Sequence, residues 1–393
     1  MSVTTIPINS ASFAATDLCV KCGLCLPHCP TYRLSRDENA SPRGRLALMQ
    51  AVAENKLGFT PALRQHLDQC LGCRRCERVC PAKVPYGRLL DDFRAAMPRR
   101  TGLAGLARRV LANTAGRAAL AAAARGYARS GWRPVLRRFV PLGLEVLAHQ
   151  AKAPALQAHY PALGTETARV ALFVGCTGAW LDADTLRAAI AVLTRLGAAV
   201  ALPAGQGCCG ALQWHAGDRA AAAPLLENNR RAFAGAEVLV SFASGCGAFL
   251  QEQTGAAKKV LDLSRFLLDL AWPAAVALQP LPIKVGLHTP CTLADAAAAA
   301  ELLCRIPELT LLPLPSQPAC CGAAGTYLLE HQDSARRLRD EVVEQIAASG
   351  VDCVVTSNVG CAGHLRAGLA ARGMAVEVLH PVMLIARSMG WNP

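Results

Sequence analysis

The period of the apolar positions changes along this chain. Near the N-terminus, Leu46, Met49, Val52 and Ala53 recur at helical spacing, and Leu63, Leu67 and Cys70 do likewise, so both stretches predict helices. From about residue 168, short apolar runs take over. ARVALFVGC reads as a buried strand entering a turn, DADTLRAAIAVLTRLG as a helix, and AAVALP as a strand. PLLENNRRAFAGA then predicts a helix and EVLVSF a third strand. Residues 283 to 365 repeat this order. Cys291, Cys320 and Cys361 fall 115, 112 and 115 positions after Cys176, Cys208 and Cys246, a steady offset that marks a duplicated domain.

The predicted fold is α+β and multidomain. A helical module covers 1–97, an Ala- and Arg-rich helical linker 98–165, and two α/β domains with parallel sheets cover 166–275 and 276–393. Ligands of such sheets collect beyond the carboxyl ends of the strands. Cys176, Cys208, Cys209 and Cys246 are expected there in loops, as are Cys291, Cys320, Cys321 and Cys361, each set converging on one site. Cys304 and Cys353 are expected within strands, as packing residues.

Composition narrows the class. With 52% hydrophobic residues the chain packs as a globular protein. Its most apolar long run is cut by Arg117, Arg125 and Arg129, which argues against a membrane span. The first residues lack the basic start and apolar core of a secretory signal, so the expected location is the cytoplasm. Eighteen cysteines in a reducing compartment point to metal or redox chemistry rather than disulfides. The net charge of +13 suits an acidic partner or an anionic membrane surface. Only 5% of residues are aromatic and no nucleic-acid motif is present, so no nucleic-acid partner is expected. Much of the excess charge lies between Arg94 and Arg138, which reads either as a solvated helical face or as a docking surface for lipid or a partner.

The densest chemistry is N-terminal. CVKCGLCLPHCP and CLGCRRCERVCP share the CxxCxxCxxxCP spacing of proteins with two cubane clusters. Three thiolates come from one tightly wound loop, and the fourth cysteine reaches the other cluster. Cys19, Cys22, Cys25 and Cys80 are thus expected to hold one 4Fe–4S cluster, and Cys70, Cys73, Cys76 and Cys29 the second. Zinc sites and thioredoxin-like dithiols need fewer cysteines than this. The long helical gap between the motifs resembles the helical ferredoxin module of respiratory iron–sulfur subunits. Arg43 and Arg45 in that gap read either as helix-surface residues or as groups that raise a cluster's potential.

Taken together, CPTYRL, SPRGR, CLGCRRCERVCP, GCCGAL, SGCGAFL, PCTL and CCGAAGTYLL resemble the iron–sulfur subunits of glycolate oxidase along almost the whole chain, 98 to 165 matching loosely. Anaerobic glycerol-3-phosphate dehydrogenase has an iron–sulfur subunit of similar layout. Lactate-utilisation proteins and heterodisulfide reductase belong to the wider group with CCG repeats. The resemblance implies separate FAD-containing subunits that oxidise glycolate to glyoxylate, and a relay in this chain toward a quinone or other acceptor. It also implies peripheral contact with the cytoplasmic face of a membrane. The absence of GxGxxG and P-loop motifs agrees with flavin chemistry lying elsewhere.

The wider CCG pattern ends in CxxC, and this chain departs from it. Phe249 stands three residues after Cys246 and His364 three after Cys361. A further cluster or a zinc in the repeats stays open, His364 being able to offer a ring nitrogen, as does a metal-free thiol site for a quinone or an interface. His215 and His288 are expected to be hydrogen-bonded structural residues. Catalysis of disulfide or quinone reduction at a CCG site is the main rival to the relay reading. A structural membrane adaptor is a third.

Overall fold

The structure is a computed structural model that describes residues 10–98, 102–130, 156–255, 259–314 and 320–391. The N-terminal module is helical, as the periodicity predicts. Ser41 and Thr60 cap the helices Pro42–Ala53 and Pro61–Asp68 by accepting hydrogen bonds from the Gly44 and Leu63 amides, each with Pro at the first helical position. With the helix Tyr86–Ala96 they enclose a core of Leu46, Met49, Leu67, Leu90 and Phe93. Pro30 opens the helix Pro30–Ser35 directly after Cys29.

Two helices follow, Leu103–Ala112 and Thr114–Arg129. The rest of the Arg-rich segment, 131–155, lies outside the described residues, and with it Arg138.

The first repeat builds strands β1 (His159–Tyr160), β2 (Ala168–Phe173), β3 (Ala198–Ala201), β4 (Val238–Ser241) and β5 (Lys259–Asp262), in the order β1-β3-β2-β4-β5. Only β1 runs antiparallel. The second repeat builds β6 (Lys284–Leu287), β7 (Thr310–Pro313), β8 (Cys353–Val355) and β9 (Glu377–Leu379) in the all-parallel order β7-β6-β8-β9. This order matches β3-β2-β4-β5, so the duplication read from cysteine spacing is also one of topology.

The repeats share one core. The helices Ala183–Arg195 and Pro381–Ser388 pack together, and Leu186, Leu193 and Leu267 lie in the same buried cluster as Leu302, Val382 and Ile385. Among the described residues no helix is long and apolar enough to cross a membrane.

Two expectations are corrected. Cys353 is buried in β8, but Cys304 is exposed at the end of the helix Ala298–Leu303 and packs no strand. Cys246 and Cys361 lie in the first turns of the helices Ser244–Thr254 and Val359–Ala371, where loops were expected. The strands end a few residues earlier than the apolar runs suggest, because the helix N-termini take up those residues.

Candidate metal and electron-transfer centres

The two N-terminal cysteine loops share one backbone path. Lys21 and Gly23 in the first loop have positive φ, as do Gly72 and Arg74 at the same motif positions of the second. Alternation between left- and right-handed residues turns successive N–H groups toward one concave side, a nest that suits anionic groups such as iron–sulfur clusters. The motif spacing, and not a fixed set of glycines, dictates the turn.

Each loop walls a cleft. The first, about 480 Å³ including its open mouth, is lined by Cys19, Cys22, Cys25 and Cys80 and touched by Cys76. The second, about 310 Å³, is lined by Cys29, Cys70, Cys73 and Cys76. The chain therefore crosses between clefts twice, bringing together the two sets of four that the spacing suggests.

The surroundings suit thiolate and sulfide. Burial drives the Cys25 thiol up to about 11, and burial likewise drives Cys76 upward, a cost that a bound cation removes. Burial pushes Cys70 the same way, but the Arg45 and Arg94 charges outweigh it and hold Cys70 below its ordinary value. Tyr86 donates its hydroxyl to the Cys70 sulfur at 3.4 Å.

Arg45 is not a surface residue. It is fully buried, donating from Nε to the His66 carbonyl at 2.6 Å and from Nη1 to Thr31 Oγ1 at 3.1 Å. Its Nη2 has no partner among the described residues although it borders the second cleft. A buried unpaired guanidinium nitrogen is costly, and a sulfide or thiolate acceptor in the cleft would satisfy it. Arg43 stays near the surface, tied to Glu38 at 2.6 Å and to the Lys21 carbonyl at 2.9 Å, where it braces the first loop.

Among the described residues, the cysteines of the first repeat form a thiol group without a histidine. Cys209 and Cys246 sulfurs lie 3.5 Å apart, and Asn229 clamps the CysCys turn by bonding the Cys208 carbonyl at 2.8 Å and the Gly207 amide at 3.0 Å. Hydrogen bonds from Cys176 and Cys209 make Cys208 the thiol that gives up its proton first, helped by Arg117 from the helix Thr114–Arg129. The third letter of CCG has a reason in both repeats. Gly210 and Gly322 have φ of +89° and +72°, and a Cβ on Gly322 would meet the Ala335 carbonyl at 2.4 Å.

The second repeat differs. Its Cys321 and Cys361 sulfurs are 2.6 Å apart, and His288 joins them, the three ligand atoms lying within 4.8 Å of one another and all buried. His288 Nδ1 is 3.1 Å from Thr356 Oγ1, and burial pulls the ring down to about 4, leaving it neutral. His364 plays another part than ligand. Its Nδ1 donates to the Cys321 carbonyl at 2.6 Å, bracing the CysCys turn. Counting back 115 positions, Phe173 stands where the second repeat has His288, and Phe249 where it has His364. That paired exchange is visible in the sequence, yet only the fold tells which histidine meets the sulfurs.

The second cleft and the second repeat adjoin. Besides burial, the charges of Cys291 and Cys320 push the Cys73 thiol upward. Arg78, in the short helix Arg75–Arg78, donates to the Cys291 carbonyl, and Arg75 adds positive charge beside His288, Cys291 and Cys320. The first repeat meets the ferredoxin-like module elsewhere, through His215 donating to Asp91 at 2.9 Å and Arg219 to Asp92 at 2.9 Å. His215 is thus the hydrogen-bonded structural residue expected. The repeats meet each other at the mouths of their sheets, where Ser244 and Thr292 hydroxyls pair at 2.8 Å and Asn358 reaches both.

Comparisons with known proteins agree with this layout. A family model described as a 4Fe-4S dicluster domain matches residues 15–84, and one described as a cysteine-rich domain matches 170–251 and 285–366. The chain is similar to the glycolate oxidase iron–sulfur subunit of Escherichia coli K12, 34% identical over 88% of this chain and 89% of that protein. It is 30% identical to a probable glycolate oxidase iron–sulfur subunit of Bacillus subtilis, over 95% and 94%. A fumarate reductase (CoM/CoB) subunit of Methanothermobacter marburgensis is 26% identical, over 93% and 71%.

Proposed function

Because this chain belongs to the family of glycolate oxidase iron–sulfur subunits, we propose that it is the relay between FAD-containing subunits, which oxidise glycolate to glyoxylate, and a quinone-class acceptor. Cys19, Cys22, Cys25 and Cys80 hold the first 4Fe–4S cluster in this reading, and Cys29, Cys70, Cys73 and Cys76 the second. The bound clusters supply one-electron transfer. The chain's own residues fix them: eight thiolates bind, the two nests orient backbone amides at the sulfurs, and Arg45 and Arg94 offset negative charge. The isolated chain does not oxidise glycolate in this reading, because the substrate chemistry resides in the flavin subunits. The complex works at the cytoplasmic face of a membrane, in peripheral contact with it.

The observation that carries the reading is the double crossing of the chain between adjacent clefts, with the second cleft against the second repeat. Such a row of redox groups suits conduction better than a lone active site. Iron and acid-labile sulfide, assayed on protein purified without oxygen, test it: about eight irons per chain are expected for two cubanes. Glycolate is expected to bleach the cluster absorbance only when the flavin subunits are present. Clusters that stay oxidised in the complete complex refute the relay.

A second reading concerns the repeats. Of the two sulfur groups, that of the second repeat supports a further metal centre, because His288 adds a neutral nitrogen to Cys321 and Cys361, with Cys291 and Cys320 close by. The group Cys176, Cys208, Cys209 and Cys246 has no such nitrogen among the described residues and is a thiol site in this reading. Catalysis of disulfide or quinone reduction at the second repeat would show as activity of the isolated subunit with an artificial donor, abolished by Cys321→Ala.

A further inference from the structure

We propose that the loop from Leu18 to Leu24, at the mouth of the first cleft, is the face on which the flavin-carrying partner docks, with an acidic border on that partner meeting Lys21 and Lys83. This deepens the relay reading and rests on it. Leu18, Val20 and Leu24 are 49%, 72% and 55% exposed, three large apolar side chains uncovered within seven residues. Apolar side chains gathered this way, with a polar rim, mark an interaction site more often than isolated ones do.

What this patch surrounds selects its occupant. Cys22, between Val20 and Leu24, is the exposed cysteine of the eight in the two clefts. The second cleft lies against the second repeat on the side of Cys73, which feels the charges of Cys291 and Cys320, and Arg78 holds the Cys291 carbonyl there. The row of redox groups therefore has one end open at the exposed ligand Cys22 and one end that continues into the second repeat. Electrons from another protein enter at the open end, since the donor must approach the first cluster closely.

Charge and shape favour a protein over lipid. Lys21 and Lys83 are exposed and make no ion pair among the described residues, whereas Arg43 and Lys56 nearby are paired with Glu38 and Glu54. Asp17 and Glu54 are opposing charges near this rim, but Gln50 engages Asp17 at 2.6 Å and Lys56 engages Glu54 at 2.7 Å. A partner border rich in carboxylates complements this rim and speeds encounter. Amphipathic helices lying in the interface are a common way to seat a protein on lipid. Here Leu18 ends the 3-10 helix Ser10–Leu18, and Val20 and Leu24 sit on a wound loop held in place, the Lys21 carbonyl taking Arg43 and the Gly23 carbonyl taking the Leu26 amide at 2.9 Å. Such a preformed loop loses little freedom on docking.

The test uses the complex reconstituted from this chain and its flavin subunits. Amide exchange at residues 18–24 is expected to slow when the partner is added. The pair Val20→Asp and Leu24→Asp is expected to weaken partner binding at least tenfold, leaving iron per chain and the dithionite-reduced spectrum unchanged. Leu163→Asp, at a position 60% exposed in the first repeat, is expected to leave binding intact. Unchanged binding in the pair, or protection confined to other surfaces, overturns the proposal. So does lost binding to vesicles of anionic phospholipid with partner binding intact. Should the pair lose iron, amide exchange on the wild-type complex decides. If the wild-type complex forms through this loop and glycolate still fails to reduce the clusters, the relay reading falls while the docking face stands.

Discussion

Arg45→Met removes a buried charge at the second cleft and should lower the potential of the second cluster. Arg45 Nη1 lies 3.1 Å from Thr31 Oγ1, which lies 3.3 Å from the Cys29 sulfur. The charge is therefore no more than about 7 Å from that ligand, and at an effective dielectric of about 20 it is worth about 2.4 kcal/mol. For a one-electron couple this is roughly 100 mV. The sign is fixed, because adding an electron makes the cluster more negative and a nearby cation favours that form. Redox titration followed by electron paramagnetic resonance should show one cluster shifting down by about that amount and the other by much less. Arg45→Lys keeps the charge and should shift it by less than half as far. A downward shift below about 30 mV in Arg45→Met, an upward shift, or equal shifts in both clusters would refute the electrostatic role.

Four other outcomes follow from the same physics. Phe93→Ala empties the centre of the N-terminal core, where the ring packs edge-on against Phe13 at 5.7 Å; a loss of about 3–5 kcal/mol is expected, read as lower iron retention and a lower melting temperature of that module. Gly217→Ala should loosen the seam between that module and the first repeat, because φ is +80° and a Cβ would meet the Arg94 carbonyl at 2.2 Å; faster amide exchange in 86–96 and 211–217 is the readout. Burial holds His380 down to about 3 in the folded chain, where its ring accepts the Val382 amide at 3.1 Å. Its stabilisation is complete above the unfolded value of about 6.5 and is lost as pH falls below it, at about 1.4 kcal/mol per unit. Urea denaturation of His380→Asn between pH 7.5 and 5.5 should show a shallower slope than wild type. Finally, metal beyond eight irons should vanish in Cys321→Ala and survive Cys209→Ala; equal losses in both would contradict the asymmetry of the repeats.

Much of this protein is written in its local sequence. A cubane needs thiolates at fixed short spacing, so Cys19 to Cys25 and Cys70 to Cys76 announce themselves. The 115-residue offset reveals the duplication because both copies keep the turns that strand ends require. Helices with apolar residues every third or fourth position, and with Ser-Pro or Thr-Pro before them, are equally legible. What spacing does not encode is which surfaces face each other. Arg45 looks like a helix-surface residue until the folded module closes over it, and its role follows from burial beside Cys29 and Cys70. His288 looks structural and His364 ligand-like. Yet β6 and the helix Val359–Ala371 bring the first to the Cys321–Cys361 pair and turn the second to a carbonyl. Cys304, expected in a strand, ends a helix in solvent. The sequence by itself determined the cysteine spacings and the repeated succession of strands and helices, because these depend on residues close together in the chain. Only the tertiary structure decided that the second cleft lies against the second repeat, because this depends on packing between segments some 200 residues apart, such as Arg78 and Cys291.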